Sequence, residues 1–255
     1  MTWEISNNVG EYLNSCRDAA LDNRYFNQFK QDPRYRQILE HVSFEEASMY
    51  ASKLPIKEVL KNLNKFKEND NYGNPDIHEF DDLGEVSPTT VRYIKNTFDI
   101  INRFGSNIGN IVEIGGGYGG LCKVLSSVIY FSNYLIFDLE EPNMLSKKYL
   151  SKFDDLDGRV QSLTLEELGE IDGIDLLISN YAFSEVSLDV QEEYYEKVIK
   201  KSKRIYMVFN PISSRNLKFS DFVDRLTSDG FDVEYSCEHE ESENCNKILY
   251  ASCLN

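Results

Sequence analysis

Apolar residues recur in two rhythms along this chain, and the rhythm changes near residue 105. From about residue 10 to residue 68, aromatic and aliphatic positions repeat at helical spacing among polar ones, interrupted by Pro33 and Pro55. Several short helices are predicted there. One opens with the capping-box spacing Ser43-Phe44-Glu45-Glu46, and another carries the stripe Ile56, Val59, Leu60, Leu63, Phe66 as a packing face. From Glu68 to Glu85 the periodicity dissolves into turn residues, which predicts a long loop. Ser87-Pro88 then starts a helix as N-cap and first-turn proline, running through Val91, Ile94, Phe98 and Ile101 to Gly105.

Beyond Gly109 short apolar runs alternate with helical patterns. Strands are predicted near 110–114, 134–138, 174–179, 204–209, 231–237 and 247–253, with a weaker one near 159–162. Helices fall near 118–129, 142–153, 164–169, 189–202 and 218–229. The last two strands follow each other across an acidic loop, Glu238 to Glu243, which reads as a solvated turn of a hairpin. The expected fold is α/β and Rossmann-like, a mostly parallel seven-stranded sheet ending in an antiparallel hairpin, with a helical N-terminal cap. Residues 1–104 would form the cap and a substrate-side loop, and residues 105–255 the ligand-binding domain.

The 255 residues suffice for such a core, and 27 Lys plus Arg against 43 Asp plus Glu give a net charge of −16. That balance would repel a phosphate backbone, so nucleic acid is not an expected partner. The five cysteines are odd in number and form no C-x-x-C pair, which predicts reduced thiols, no disulfide framework and no zinc site. The N-terminus lacks a basic start with an apolar core, and no apolar run approaches membrane-spanning length. A cytoplasmic protein is the expectation, with the oligomeric state open between monomer and homodimer.

The chemistry concentrates in Ile111-Val112-Glu113-Ile114-Gly115-Gly116-Gly117-Tyr118-Gly119-Gly120, a buried strand that turns on glycines into a helix. Gly115, Gly117 and Gly120 satisfy the dinucleotide pattern G-x-G-x-x-G, while Glu113, Gly115, Gly117 and Gly119 satisfy acidic-x-G-x-G-x-G. A carboxylate beside the turn would repel a pyrophosphate. It would favour S-adenosylmethionine, which has no phosphate and carries an ammonium and a sulfonium. Asp138, followed by Leu139, closes the next apolar run where either ligand would place its ribose hydroxyls. The closing hairpin matches the usual methyltransferase outline, whereas a dinucleotide fold continues with helical crossovers.

The strand near 174–179 delivers Asn180-Tyr181-Ala182-Phe183-Ser184-Glu185 at its carboxyl end, the end that faces the ligand crevice in open α/β sheets. Methyl transfer to a hydroxyl needs a positioned acceptor and a proton acceptor, and Glu185 or the loop residue His78 is the candidate base. Tyr72, Arg92, Tyr93 and Tyr181 are candidate acceptor contacts, with the start of the Ser87-Pro88 helix free to face the cofactor if it abuts the sheet. Asn180 and Phe183 keep the outer positions of the N-P-P-[FY] motif of some amino-group methyltransferases. The acidic pairs Asp81-Asp82 and Glu140-Glu141 read as solvated charge, and no metal is expected.

With these residues in view, the chain resembles the sugar O-methyltransferase family of class I S-adenosylmethionine-dependent methyltransferases. The resemblance covers roughly residues 70–210 and rests on Gly73-Asn74-Pro75, Ser87-Pro88-Thr89-Thr90-Val91-Arg92-Tyr93, the glycine stretch, and Ser179-Asn180-Tyr181-Ala182-Phe183-Ser184-Glu185. It implies transfer of a methyl group to a sugar hydroxyl, in bacterial surface glycan assembly. It implies cofactor contacts at Glu113, Gly115, Gly117 and Asp138, and Asn180 and Glu185 bordering the acceptor. The alternatives are an N- or O-methyltransferase acting on another small molecule, a nicotinamide-dependent oxidoreductase, and a non-catalytic partner protein that keeps the fold.

Overall fold

A computed structural model describes residues 7–211, 217–239 and 245–254 of the chain. A two-stranded hairpin, β1 (His78–Phe80) and β2 (Gly84–Val86), stands where the sequence predicts only loop. The main sheet contains β3 (Asn110–Ile114), β4 (Asn133–Phe137), β5 (Val160–Leu163), β6 (Leu176–Asn180), β7 (Arg204–Phe209), β8 (Phe231–Cys237) and β9 (Lys247–Cys253). Their order is β5-β4-β3-β6-β7-β9-β8. Neighbours from β5 to β7 are parallel, and β9 runs antiparallel to both β7 and β8. The expected seven-stranded, mostly parallel sheet with a closing hairpin is therefore present.

The strands form where they do because they are covered on both faces, so they read as unbroken apolar runs. Within β3, Ile111 joins the cluster on one face, with Tyr134, Ile178 and Tyr206, while Val112 and Ile114 join the other, with Leu177, Met207 and Phe222. Period-two alternation puts Glu113 on the same face as Ile111. That face is also where the N-terminal segment packs. Tyr12, Phe29, Tyr35, Val59, Phe66, Val91 and Ile94 belong to one buried cluster with Ile111, Leu121 and Tyr134. Helix Asn7–Leu21 packs on helix Glu140–Leu150, and helix Phe44–Ser52 packs on helix Pro88–Phe104.

The predicted helix starts hold. Ser87 Oγ accepts from the Thr90 N–H at 3.1 Å with Pro88 in the first turn, and Ser43 and Glu46 form both bonds of the capping box. Helix ends were longer in the sequence reading than in the fold: the helix after the glycine turn runs Gly120–Ser126, and the segment near 164–169 is a 3-10 turn, Leu165–Glu167.

Two expectations change. Cys237 and Cys245 are joined in a disulfide across the β8–β9 connection, although their spacing carries no pattern; the antiparallel register brings them together. Cys16 and Cys122 are free and buried. The acidic run after β8 is not wholly solvated, since Glu238 is only 2% exposed. Residues 240–243 of that run, like Met1–Ser6, lie outside the described residues. No helix among the described residues is long and apolar enough to cross a membrane.

Candidate cofactor and acceptor site

At the carboxyl end of β3 the chain turns on glycines because other groups occupy the space a side chain would need. Gly115 has φ +79 and donates its N–H to the Phe137 carbonyl at 2.8 Å; a Cβ there would fall 2.0 Å from Cβ of Ala182. Gly117 has φ +55, and its Cβ would meet Cδ1 of Leu39 from the N-terminal segment at 2.5 Å. The turn is held from the next strand by Asp138. One of its carboxylate oxygens accepts from the Gly117 N–H at 2.8 Å and the other from the Leu139 N–H at 2.7 Å. Burial pushes the Asp138 carboxyl up to about 6, opposed by those two N–H groups.

Two cavities meet at Asp138 and Leu139. The first, about 570 Å³, is lined by Asn143, Thr164, Leu165 and Tyr194, among others. The second, about 350 Å³, is lined by Gly115, Gly117, Asn180, Tyr181, Glu185 and Arg92, with the N-terminal segment forming its other wall. Each holds an orphan: the side-chain oxygens of Asn143 and Asn180 are buried with no hydrogen-bond partner. Buried acceptors of this kind call for a donor on a ligand.

Directly after β6 comes Tyr181, which adopts φ +68, one of two described non-glycine residues with positive φ. Such strain persists only where surroundings enforce it. Here the Tyr181 N–H donates to the Val208 carbonyl at 2.7 Å and its hydroxyl to Glu238 at 2.6 Å. Tyr50 donates to the same oxygen at 2.9 Å, and Asn246 Nδ2 donates to the other at 3.0 Å. Burial raises the Glu238 carboxyl, but the Tyr181, Asn246 and Tyr50 hydrogen bonds outweigh it and hold the group below its ordinary range. Tyr50 has one proton and gives it to the carboxylate. The 3.3 Å contact between Tyr50 and His239 Nε2 is then donated by the imidazole, and Nδ1 is buried with no hydrogen-bond partner. His41 also lines the cavity, and burial, with Arg92 adding, pushes its imidazole below the ordinary value, so it is neutral at pH 7.

Of the sequence candidates, the fold brings Gly115, Gly117, Asp138, Leu139, Asn180, Tyr181, Glu185 and Arg92 to the second cavity. Glu185 accepts there from Asn210 Nδ2 at 3.1 Å. Others lie elsewhere. Glu113 lines neither cavity: it is 2% exposed beneath the turn, accepting from the Tyr134 hydroxyl at 2.7 Å. Gly119 packs on Leu150, Tyr93 lies against Gly120, and Tyr72 belongs to an aromatic cluster with Phe26, Tyr149 and Phe153. His78 lines neither cavity: its ring lies 5.4 Å from that of Phe44, tilted, on a third cavity that meets the second at His41 and Val42. Tyr50, Glu238, His239 and His41 were missed, and the 188 residues between Tyr50 and Glu238 explain why no local signal marked them.

The sheet order, with β9 reversed between β7 and β8, and the glycine turn beside an acidic strand end define the fold of class I methyltransferases. Solved structures similar to this chain bear that out. Magnesium protoporphyrin IX methyltransferase from Synechocystis with bound S-adenosylmethionine is 14% identical over 64% of this chain and 78% of its own, at TM-score 0.51. An S-adenosylmethionine-dependent methyltransferase from Clostridium acetobutylicum is 11% identical over 64% of this chain and 91% of its own, at TM-score 0.52. No protein-family model and no curated protein sequence matches the chain.

Proposed function

We propose that this chain is a methyltransferase that uses S-adenosylmethionine to methylate a hydroxyl of a sugar or glycan in the cytoplasm. The observation that carries the reading is the pair of cavities joined at Asp138 and Leu139 over a glycine cradle that admits no Cβ. A nucleoside fits the first cavity, where the orphan Asn143 oxygen lacks a donor, and the remainder of the cofactor fits along Gly115 and Gly117. When bound, the cofactor supplies an electrophilic methyl group on a sulfonium with a neutral thioether as leaving group. A dinucleotide is the poorer fit, since β9 interrupts the all-parallel order of that fold.

The chain's own part is to hold the acceptor and take its proton. Glu185 stands on the cavity beside Asn210, where its carboxylate would receive the proton of an acceptor hydroxyl. Tyr50, Tyr181 and Glu238 offer the mixed donors and acceptors that suit a polyhydroxylated acceptor. Glu185→Gln is expected to lower turnover roughly 100-fold or more, with S-adenosylmethionine affinity unchanged, when nucleotide sugars and glycans are screened as acceptors. Unchanged turnover would leave positioning alone as the source of rate. The orphan Asn180 oxygen favours a second reading, an amino acceptor, whose N–H it would take. Amino-sugar acceptors in the same screen separate the two.

A further inference from the structure

Four cationic side chains are buried among the described residues: Lys30, Arg92, Lys95 and Lys123. Three are accounted for. Lys95 pairs with Asp99, Lys123 with Glu68, and Lys30 donates to the Asn69 carbonyl at 2.7 Å while sitting over the Tyr118 ring. Arg92 is different. It is 5% exposed, lines the second cavity, and has no carboxylate partner among the described residues. Its guanidinium reaches the Leu39 carbonyl at 3.5 Å and lies 5.6 Å and 5.8 Å from the Tyr93 and Tyr181 ring centroids. Glu238 and Glu40 act on it only at longer range, and Glu238 is already filled by Tyr181, Tyr50 and Asn246.

A guanidinium that never loses its charge, only 5% exposed, with no carboxylate of its own and lining the cavity, is a seat for a planar anion. Its position says which one. Leu39, whose carbonyl it meets, is the residue that covers Gly117, and Tyr93, whose ring it lies over, packs with Tyr118 against Gly120, so Arg92 is anchored to the glycine-turn side of the cavity. We propose that Arg92 seats the α-carboxylate of S-adenosylmethionine, the cofactor's one anionic group, and thereby fixes the amino-acid end of the cofactor across the second cavity. This rests on the methyltransferase reading and changes the role of Arg92 from acceptor contact to cofactor contact.

The test compares S-adenosylmethionine with its decarboxylated form, which keeps the nucleoside, sulfonium and amine, by calorimetric titration of the full chain. The wild-type protein is expected to prefer the carboxylated form by about 10- to 100-fold. Arg92→Gln is expected to erase that preference by weakening S-adenosylmethionine alone, with binding of the decarboxylated form retained and the unliganded protein unfolding at the same or a higher temperature, because an unpaired buried charge has been removed. Arg92→Lys keeps the charge but not the fork, and an intermediate preference is expected. No preference in the wild-type protein overturns the inference without reference to any variant. Wild-type preference in Arg92→Gln also overturns it. Binding of neither form by the wild-type protein would instead remove the methyltransferase reading itself.

Discussion

Gly115→Ala is expected to abolish measurable cofactor binding and to cost roughly 2–5 kcal/mol of stability. Two effects add. The residue holds φ +79, which an alanine adopts at a cost of about 1–2 kcal/mol. Its Cβ would also lie 2.0 Å from Cβ of Ala182, a separation that no pair of carbons sustains, so the exits of β3 and β6 must part. That displacement carries Asn180 and Tyr181 with it, and with them one wall of the second cavity. Gly230→Ala is the control. Gly230 has φ +88 with nothing within 4 Å of a Cβ, so only the conformational cost applies and cofactor affinity stays intact. Equal effects of the two substitutions, measured by urea denaturation and calorimetric titration, would mean that Gly115 is needed only for its dihedral angles.

Glu113→Gln is expected to stabilise the protein at pH 8.5 by roughly 2–4 kcal/mol, and to have little effect at pH 5. Burial pushes the Glu113 carboxyl from 4.5 up to about 7, opposed by the Tyr134 hydrogen bond and reinforced by the charge of Asp138. A carboxyl raised on folding binds its proton more tightly in the folded state. Its contribution is therefore fully present below about 4.5 and lost as the pH rises through about 7. Asp138, raised to about 6, adds a slope of the same sign in both proteins. Glutamine keeps an oxygen for the Tyr134 hydroxyl and carries no charge to desolvate. Parallel stability–pH curves for wild type and variant would show that Glu113 is ionised and compensated in place. Glu113 lines neither cavity and lies beneath the turn: Gly116 has no room for a Cβ partly because a Glu113 oxygen would lie 3.1 Å away.

What could be read in advance follows from where the determinants sit. Strands β3, β4 and β6 were legible because burial on both faces writes them as continuous apolar runs, and the Ser87-Pro88 and Ser43-to-Glu46 signals are local chemistry that fixes helix starts. Gly115, Gly117 and Asp138 were legible together because a strand–turn–helix unit and the next strand end bring them into hydrogen-bond range. The β1–β2 hairpin was not, because strands of three residues carry too few positions to show alternation. The Tyr50–Glu238–Tyr181 cluster was invisible for another reason. Its members come from the helical segment, the β8–β9 connection and the end of β6, and only tertiary packing makes an acidic loop residue the centre of a buried hydrogen-bond network. His78 lines a different cavity, across His41 and Val42 from the second, a placement that only the tertiary fold decides.

The central claim is that the glycine turn, Asp138 and the two cavities bind S-adenosylmethionine. Its most direct test is calorimetric titration of the purified chain with S-adenosylmethionine and, separately, with NAD. The account predicts saturable binding of S-adenosylmethionine and none of NAD. Binding of NAD alone would contradict it and make the exits of β3 and β6 parts of a redox site.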